Sequence, residues 1–297
     1  MRKLIILLTL TLFAFSSCKQ DENLADAYGN FDAHAEVIVS SQIMGQLLRF
    51  DVEEGDYLQA GQVVGLVDTM ALYLNKQVLI KRKAAIASQL AYIGANIEVQ
   101  QQRLAINKVD QRRIQALFSS HAATKKQMDD VNGLVDLTRK QISATASRKI
   151  SILAEMSSIM AQVASVNESI NKCKIRSEVA GTVLEKYAEK GELATPGKAL
   201  FKIANLKTLE LNAYVSGGEL NRVKIGQKVK VYYDKGIDEN TEIMGKVIWI
   251  SPLAEFTPKT IQTKEERVRL VYAVKVRVPN NEGSIKIGMP GEFRISD

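Results

Sequence analysis

Residues 128–170 read MDDVNGLVDLTRKQISATASRKISILAEMSSIMAQVASVNESI. One seam returns every seven residues, at Met128, Val135, Ile142, Lys149, Met156, Val163 and Ile170, and a companion seam runs through Val131, Thr138, Thr145, Ile152, Ile159 and Val166. A three-four alternation sustained over six heptads lays one stripe of a helix against a partner helix. The stretch belongs to a longer run, Thr69 to Cys173, that lacks proline and is helical in pattern apart from a break near Ser119 to Ala123. The outgoing helix, from Thr69 to Phe118, has its own seam at Leu79, Ile86, Leu90, Ile93, Ile97 and Leu104. That seam blurs at Gln100 and Asn107, as loosened packing or a register stutter would make it. Nearly 50 residues at about 1.5 Å each give an arm of roughly 70 Å, far longer than a globular core requires. Lys149 lies in the apolar seam, where a lysine buries its stem and keeps its ammonium in water.

The flanks of the run are short and β-rich, and they repeat. Gly45, Gly55 and Gly61 recur 136 positions later as Gly181, Gly191 and Gly197, and a repeated spacing implies a repeated supersecondary unit. The second and third glycines of each set stand at turns where φ > 0 is easiest for glycine. Neither half, at about 30 residues, buries a useful core alone. Their ends must therefore meet, and the helical run between them must go out and return.

These halves resemble those of a lipoyl or biotinyl carrier domain split by a helical hairpin, as in the periplasmic membrane fusion proteins, the HlyD and AcrA-like adaptor family. A true carrier presents a modified lysine at a tight turn. Here Asp68, Thr69 and Met70 occupy that place, so the resemblance implies no cofactor. The fold class expected is mixed α and β: a long antiparallel α-helical coiled-coil hairpin inserted between two halves of a lipoyl-like β domain, followed by a small β-barrel. The expected domains are a signal peptide (1–17), a lipidated N-terminus and tether (18–34), the first lipoyl-like half (35–68), the hairpin (69–173), the second half (174–205) and the barrel (206–297).

At the hairpin tip the chain reads RIQALFSSHAATKKQMDDV, Arg113 to Val131. The family carries here an Arg, a Leu four residues on and a Ser seven further, which dock a TolC-type exit duct. Arg113 and Leu117 match, with Thr124 in place of serine, so the resemblance implies that Arg113, Leu117 and Thr124 are docking residues. Taken alone, the same residues read as a solvated arginine, a leucine closing the seam, and an N-cap whose capping box is completed by Gln127.

After Ile203 the pattern alternates with period two: Leu209, Leu211, Ala213, Val215; Val229, Val231, Tyr233; Val247, Trp249; Tyr272, Val274, Val276, Val278; Phe293, Ile295. Five or six strands with glycine, proline and polar turns make a small barrel, and VKIGQKVKV and IGMPGEFRI match the family's barrel domain. The loop beginning FTPKTIQTKEERVRL resembles the YbhG-like adaptors that serve ABC-type exporters. The chain stops at Asp297, so within the resemblance the membrane-proximal domain is expected to be absent or vestigial.

The N-terminus reads as a targeting segment. Arg2 and Lys3 precede an apolar run from Leu4 to Phe15, too short for the roughly 20 residues of a span. Ser16, Ser17 and Cys18 then resemble a lipoprotein cleavage site, with Cys18 as the lipid attachment residue; ordinary signal cleavage is the alternative. Lys19 after the cysteine favours sorting to the outer membrane, whereas the family implies an inner-membrane anchor. Cys173, without a partner, is expected to be a buried small hydrophobe.

The net charge is +7, but 40 Lys and Arg are interspersed with 33 Asp and Glu and no stacking-aromatic motif accompanies them, so nucleic acid is not an expected partner. There is no Walker A loop, GxSxG elbow or HExxH, and His34 and His121 give little material for a metal or catalytic centre. An enzyme is not expected, nor a catalytic, cofactor or metal site. The resemblance implies a lipid-anchored periplasmic adaptor of a Gram-negative bacterium that links an inner-membrane transporter to a TolC-like outer-membrane channel. The transporter expected is an ABC-type exporter, or else a proton-driven RND-type pump. A homo-oligomer, a hexamer, is expected. The alternatives are a lipid-anchored coiled-coil tether unrelated to transport and a carrier-domain enzyme component.

Overall fold

The computed structural model describes residues 26–234, 240–256 and 270–295. The signal peptide, Cys18 and most of the loop that follows Phe256 lie outside these residues. The chain divides into two compact units, a β-barrel and a lipoyl-like domain carrying a helical hairpin.

The lipoyl-like domain is built from β2 (Glu36–Ser40), β3 (Gly45–Phe50), β4 (Tyr57–Leu58) and β5 (Val63–Val67) before the hairpin. After it come β6 (Lys174–Arg176), β7 (Gly181–Lys186), β8 (Leu193–Ala194) and β9 (Ala199–Ala204). The barrel strand β1 (Ala27–Ala33) precedes them. Two four-stranded sheets result, β6-β5-β3-β8 and β2-β9-β7-β4. Adding the 136-residue interval of the repeat to β3 and β4 gives the limits of β7 and β8, so the two sheets are equivalent under a two-fold, and each takes strands from both halves. The hydrogen bonds obey the same symmetry. The Gly55 N–H donates to Val183 and the Gly191 N–H to Leu47, at 2.9 and 2.8 Å; the Gly61 N–H donates to Ser177 and the Gly197 N–H to Ser41, at 2.7 and 2.9 Å.

The glycines explain why the repeat keeps its spacing. Gly55, Gly61, Gly191 and Gly197 have φ of +92°, +79°, +95° and +85°, a region L side chains resist. Gly45 and Gly181 are held by space instead. A Cβ on Gly45 would sit 2.6 Å from Val67 Cγ1, and one on Gly181 would overlap the Ala204 carbonyl.

Between β5 and β6 the chain leaves as α1 (Met70–Ser119) and returns as α2 (Lys125–Lys172), of 50 and 48 residues. Asp68 accepts the Met70 N–H at 2.8 Å where the chain turns into α1. At the other end the Val67 N–H donates to the Cys173 carbonyl at 2.8 Å, pinning both helix roots to one strand edge. The Cys173 side chain is fully buried. Burial, with Asp68 adding to it, pushes its thiol pKa up, so it acts as a packing atom rather than a nucleophile. Among the described residues no helix is long and apolar enough to cross a membrane.

The barrel contains β1, β10 (Thr208–Ser216), β11 (Lys228–Asp234), β12 (Asn240–Ile250), β14 (Leu270–Pro279) and β15 (Pro290–Ile295), with β13 (Glu255–Phe256) added outside. The order β10-β1-β15-β11-β12-β14 closes through β14 pairing back with β10, which leaves no edge among these six strands. Its core includes Phe31, Leu209, Leu211, Val231, Val276 and Phe293.

Two expectations are corrected here. Residues 27–33, expected within the tether, form β1 and pair with all of Leu209 to Val215. The inward positions of β1 include Ala27, Gly29 and Phe31, and small residues beside Asn30 and Asp32 imitate a loop. Gly29 is small because a Cβ there would overlap the Asn212 carbonyl. Trp249, read on the same alternating stripe as Val247, is 40% exposed. A register shift between Val247 and Trp249 inserts an extra residue and reverses the alternation. The Trp249 ring faces outward, with the Lys275 ammonium 5.8 Å from its centroid.

Candidate functional site

The hairpin carries the candidate residues Arg113, Leu117 and Thr124, and its packing decides how they are held. Every seam position read from the sequence in α1 and α2 is buried or half-buried. Nearest the lipoyl-like domain the contact is apolar, with Ile86, Ile93, Ile152 and Ile159 as one cluster flanked by Leu90, Ile97, Met156 and Val163. Toward the tip it becomes polar. Gln100 Oε1 accepts from Thr145 Oγ1 at 3.2 Å, Asn107 Nδ2 donates to Thr138 Oγ1 at 3.0 Å, and Gln111 Nε2 donates to Asn132 Oδ1 at 2.7 Å. The blurred seam is therefore a ladder of matched side-chain pairs rather than a stutter. Interior polar pairs of this kind select one register over its neighbours, which fixes where the tip lies relative to the roots.

The turn between the helices is built by hydrogen bonds at both ends. The Ala122 N–H reaches back to the Leu117 carbonyl at 2.7 Å and the His121 N–H to Phe118 at 3.0 Å, the pair that closes a Schellman motif. Its left-handed position is held by His121, φ +60°, the described non-glycine residue with positive φ. Thr124 then caps α2: its Oγ1 accepts the Gln127 N–H at 3.2 Å while Gln127 Oε1 accepts the Thr124 N–H at 2.8 Å.

Arg113 and Leu117 stand one turn apart on the same face of α1, and both are exposed, as is Thr124. Arg113 has a 3.3 Å contact with Asp110 on its own helix. Leu117 is 41% exposed and does not close the seam. The Thr124 hydroxyl is more occupied than its type suggests, because Oγ1 also donates to Gln127 Oε1 at 3.1 Å. It can still accept a bond from a partner, but its proton is committed to the cap. Thr124→Ala is expected to lower stability by about 1 kcal/mol and Thr124→Ser to retain it, as thermal unfolding will show. Sequence reasoning missed Phe118, 37% exposed beside Leu117; its place at an unfilled seam end was the available signal.

A helical hairpin between two interleaved halves of a lipoyl-like domain, followed by a closed barrel, is the fold of the membrane fusion proteins. MacA from Actinobacillus actinomycetemcomitans superposes with a TM-score of 0.59 at 18% identity, over 91% of this chain and 78% of that one. The membrane fusion protein Spr0693 from Streptococcus pneumoniae R6 does so at 0.53 and 16%, over 91% and 98%. In sequence, a UPF0194 membrane protein of Yersinia pseudotuberculosis serotype IB (strain PB1/+) is 27% identical over 303 residues, covering 93% of this chain and 91% of the relative. No family model matches the chain.

Proposed function

We propose that this chain is a periplasmic adaptor that links an inner-membrane exporter, of the ABC type, to a TolC-type outer-membrane channel for efflux or secretion. The observation that carries this reading is the hairpin. About 75 Å of two-helix arm is more than the lipoyl-like domain needs for stability. It ends in exposed Arg113, Leu117 and Phe118 on a turn fixed by a Schellman motif and a capping box. An arm held in register by interior polar pairs and tipped by exposed apolar and basic side chains suits rigid presentation of a small interface at a distance. The Yersinia relative is named a membrane protein, which supports membrane association. In this chain we assign that to a lipid on Cys18, anchored in the inner membrane. The adaptor works as a homo-oligomer, a hexamer, closing a conduit around the transported substrate. Its role is mechanical, with energy supplied by the exporter.

Removing the gene from its host and measuring export or drug susceptibility tests the reading. Susceptibility is expected to rise and to be restored by the native chain. Unchanged efflux with altered envelope structure would favour a coiled-coil tether instead.

A further inference from the structure

The barrel strands share an end at which the chain enters. The register sets Ala27 against Val215, Ser216 against Val271, Lys228 against Lys246 and Val229 against Ile295. The starts of β1, β11 and β14 and the finishes of β10, β12 and β15 therefore lie together. The described chain begins here, at Asp26, while Ala33 and Thr208, through which it connects to β2 and β9, are at the opposite ends of their strands. Cys18 stands eight residues before Asp26, within about 28 Å of fully extended chain.

Two turns at this end present apolar side chains. The Gly226 N–H, at φ +90°, donates to the Val247 carbonyl at 2.8 Å, the Val247 N–H donates to Gln227 at 2.9 Å, and Gln227 Oε1 accepts the Lys224 N–H at 2.8 Å. Ile225, between these residues, is 68% exposed. Past β12 the Ser251 N–H donates to the Ala273 carbonyl at 2.8 Å, and Ser251 Oγ accepts the Leu253 N–H at 3.2 Å and donates to the Leu253 carbonyl at 2.8 Å. Leu253 is 73% exposed. Turns ordinarily carry Gly, Pro, Asn, Asp or Ser, and neither of these turns uses its apolar side chain to hold itself. Of the barrel's other exposed large apolar residues, Tyr28, Trp249 and Leu270 belong to the same end, and Met244 and Ile287 do not.

Lysines accompany them. Lys228 and Lys246 are directly opposite one another and both exposed, a like-charge pairing that costs stability. Lys224 is exposed beside Ile225, and the Lys275 ammonium lies over the Trp249 ring. Acidic groups near them are engaged elsewhere: Asp26 with Arg222 at 3.3 Å and the Ile295 N–H at 2.7 Å, Glu219 with Ser216 at 2.7 Å, and Glu242 with Lys230 at 3.1 Å. Glu255 is exposed. In sequence, residues 257–269 add four Lys and Arg against two Glu. Protein interfaces are depleted in lysine. The lipid–water boundary instead favours tryptophan, lysines that keep their ammonium in water, and shallowly inserted leucine and isoleucine, and lysines there are drawn to anionic headgroups.

Resting on the assignment of a lipid to Cys18, we propose that this end of the barrel is itself a membrane-docking surface for an anionic phospholipid bilayer. Ile225 and Leu253 enter the boundary between headgroups and acyl chains, Trp249 lies at the interface, and Lys224, Lys228 and Lys246 meet lipid phosphates. The lipid on Cys18 confines the protein to the membrane, and the barrel end fixes the orientation of the barrel upon it.

Trp249 is the single tryptophan of the chain, so its fluorescence reports from this surface alone. The protein is purified from its host, its intact mass is measured, and it is reconstituted with vesicles of phosphatidylethanolamine and phosphatidylglycerol whose acyl chains carry bromine near the headgroup. Trp249 emission is expected to move to shorter wavelength and to lose about half of its intensity to the bromine, as for a side chain roughly 5–10 Å into the boundary. Quenching on vesicles of neutral phosphatidylcholine is expected to be weaker. The pair Ile225→Asp with Leu253→Asp is expected to abolish quenching while the protein still sediments with the vesicles through Cys18. It should unfold at the native temperature, because the hydrogen bonds of both turns come from the backbone, Ser251 and Gln227. A lipidated native chain that sediments with the vesicles but leaves Trp249 unquenched overturns the docking surface and keeps the anchor. Equal quenching in the aspartate pair, or on phosphatidylcholine, overturns the contacts assigned here. Trp249 unquenched in vesicles yet shifted in native inner-membrane preparations makes the receptor a protein and overturns the proposal as well. An intact mass without lipid, with Trp249 quenched on the anionic vesicles, removes the anchoring reading and supports this surface.

Discussion

Leu117→Asp, and separately Arg113→Glu, will abolish export while the protein remains folded at native abundance. Leu117 contributes to the turn through its carbonyl, which accepts the Ala122 N–H at 2.7 Å whatever side chain the residue carries. Its side chain is 41% exposed, so aspartate there changes stability by no more than about 1 kcal/mol. Arg113 has only an exposed pair with Asp110 on its own helix, a kind of contact worth roughly 0–1 kcal/mol. A buried apolar anchor or arginine at the centre of an interface, by contrast, contributes about 2 kcal/mol or more to binding. That is roughly thirtyfold in affinity for each contact. Circular dichroism, abundance by immunoblot and an export assay together check the result. Normal export by both variants at native abundance would remove the tip assignment.

Gly29→Val will open the barrel. A Cβ at Gly29 would overlap the Asn212 carbonyl and come within 2.5 Å of the Ala213 Cα, and backbone atoms cannot rotate out of the way. The strand must therefore separate from β10, forfeiting its seven-residue register with Leu209 to Val215 and its pairing with β15 from Pro290 to Phe293. It also withdraws Phe31, fully buried and in edge contact with Tyr233 at 6.4 Å between ring centroids. Burial of one such ring is worth about 2–3 kcal/mol, and overpacking adds roughly 1–3 kcal/mol. The loss approaches half of the stability of a small domain. The expected reading is loss of the near-ultraviolet tyrosine signal and early protease cleavage in residues 206–297, with the helical signal of the hairpin retained. A barrel that melts within a degree or two of the native one would contradict the role of β1.

How far the fold can be read from sequence depends on which residues carry the signal. The hairpin is legible because its seams are made of Val, Ile, Leu and Met, whose seven-residue return survives single exceptions such as Lys149. The lipoyl-like halves are legible because six glycines answer to local geometry, four to positive φ, Gly181 to a neighbouring carbonyl and Gly45 to the Val67 side chain, and such constraints favour glycine over any other residue. Strand β1 is not, because the force that selects Gly29 is a neighbouring strand distant in sequence, and a glycine chosen for closeness looks like one chosen for a turn. Trp249 misleads for a similar reason: a bulge inverts the alternation without altering composition. The polar ladder of Gln100, Asn107 and Gln111 looks like decay of a heptad until its partners Thr145, Thr138 and Asn132 are placed opposite. At the tip, the positions of Arg113, Leu117 and Thr124 are readable, whereas the commitment of the Thr124 hydroxyl proton to Gln127 emerges only from the geometry of the cap.

The reading of the hairpin as a spacer that spans a fixed distance is tested most directly by shortening it. Removing residues 94–100 together with 145–151 takes seven residues from each helix, keeps the seam phase, and leaves Ile93 facing Ile152. The arm loses about 10 Å while its roots and tip are unchanged. Export measured in the deletion host at equal abundance is expected to fall to the level of the strain without the gene. Export at the native level from the shortened, folded protein would contradict the account.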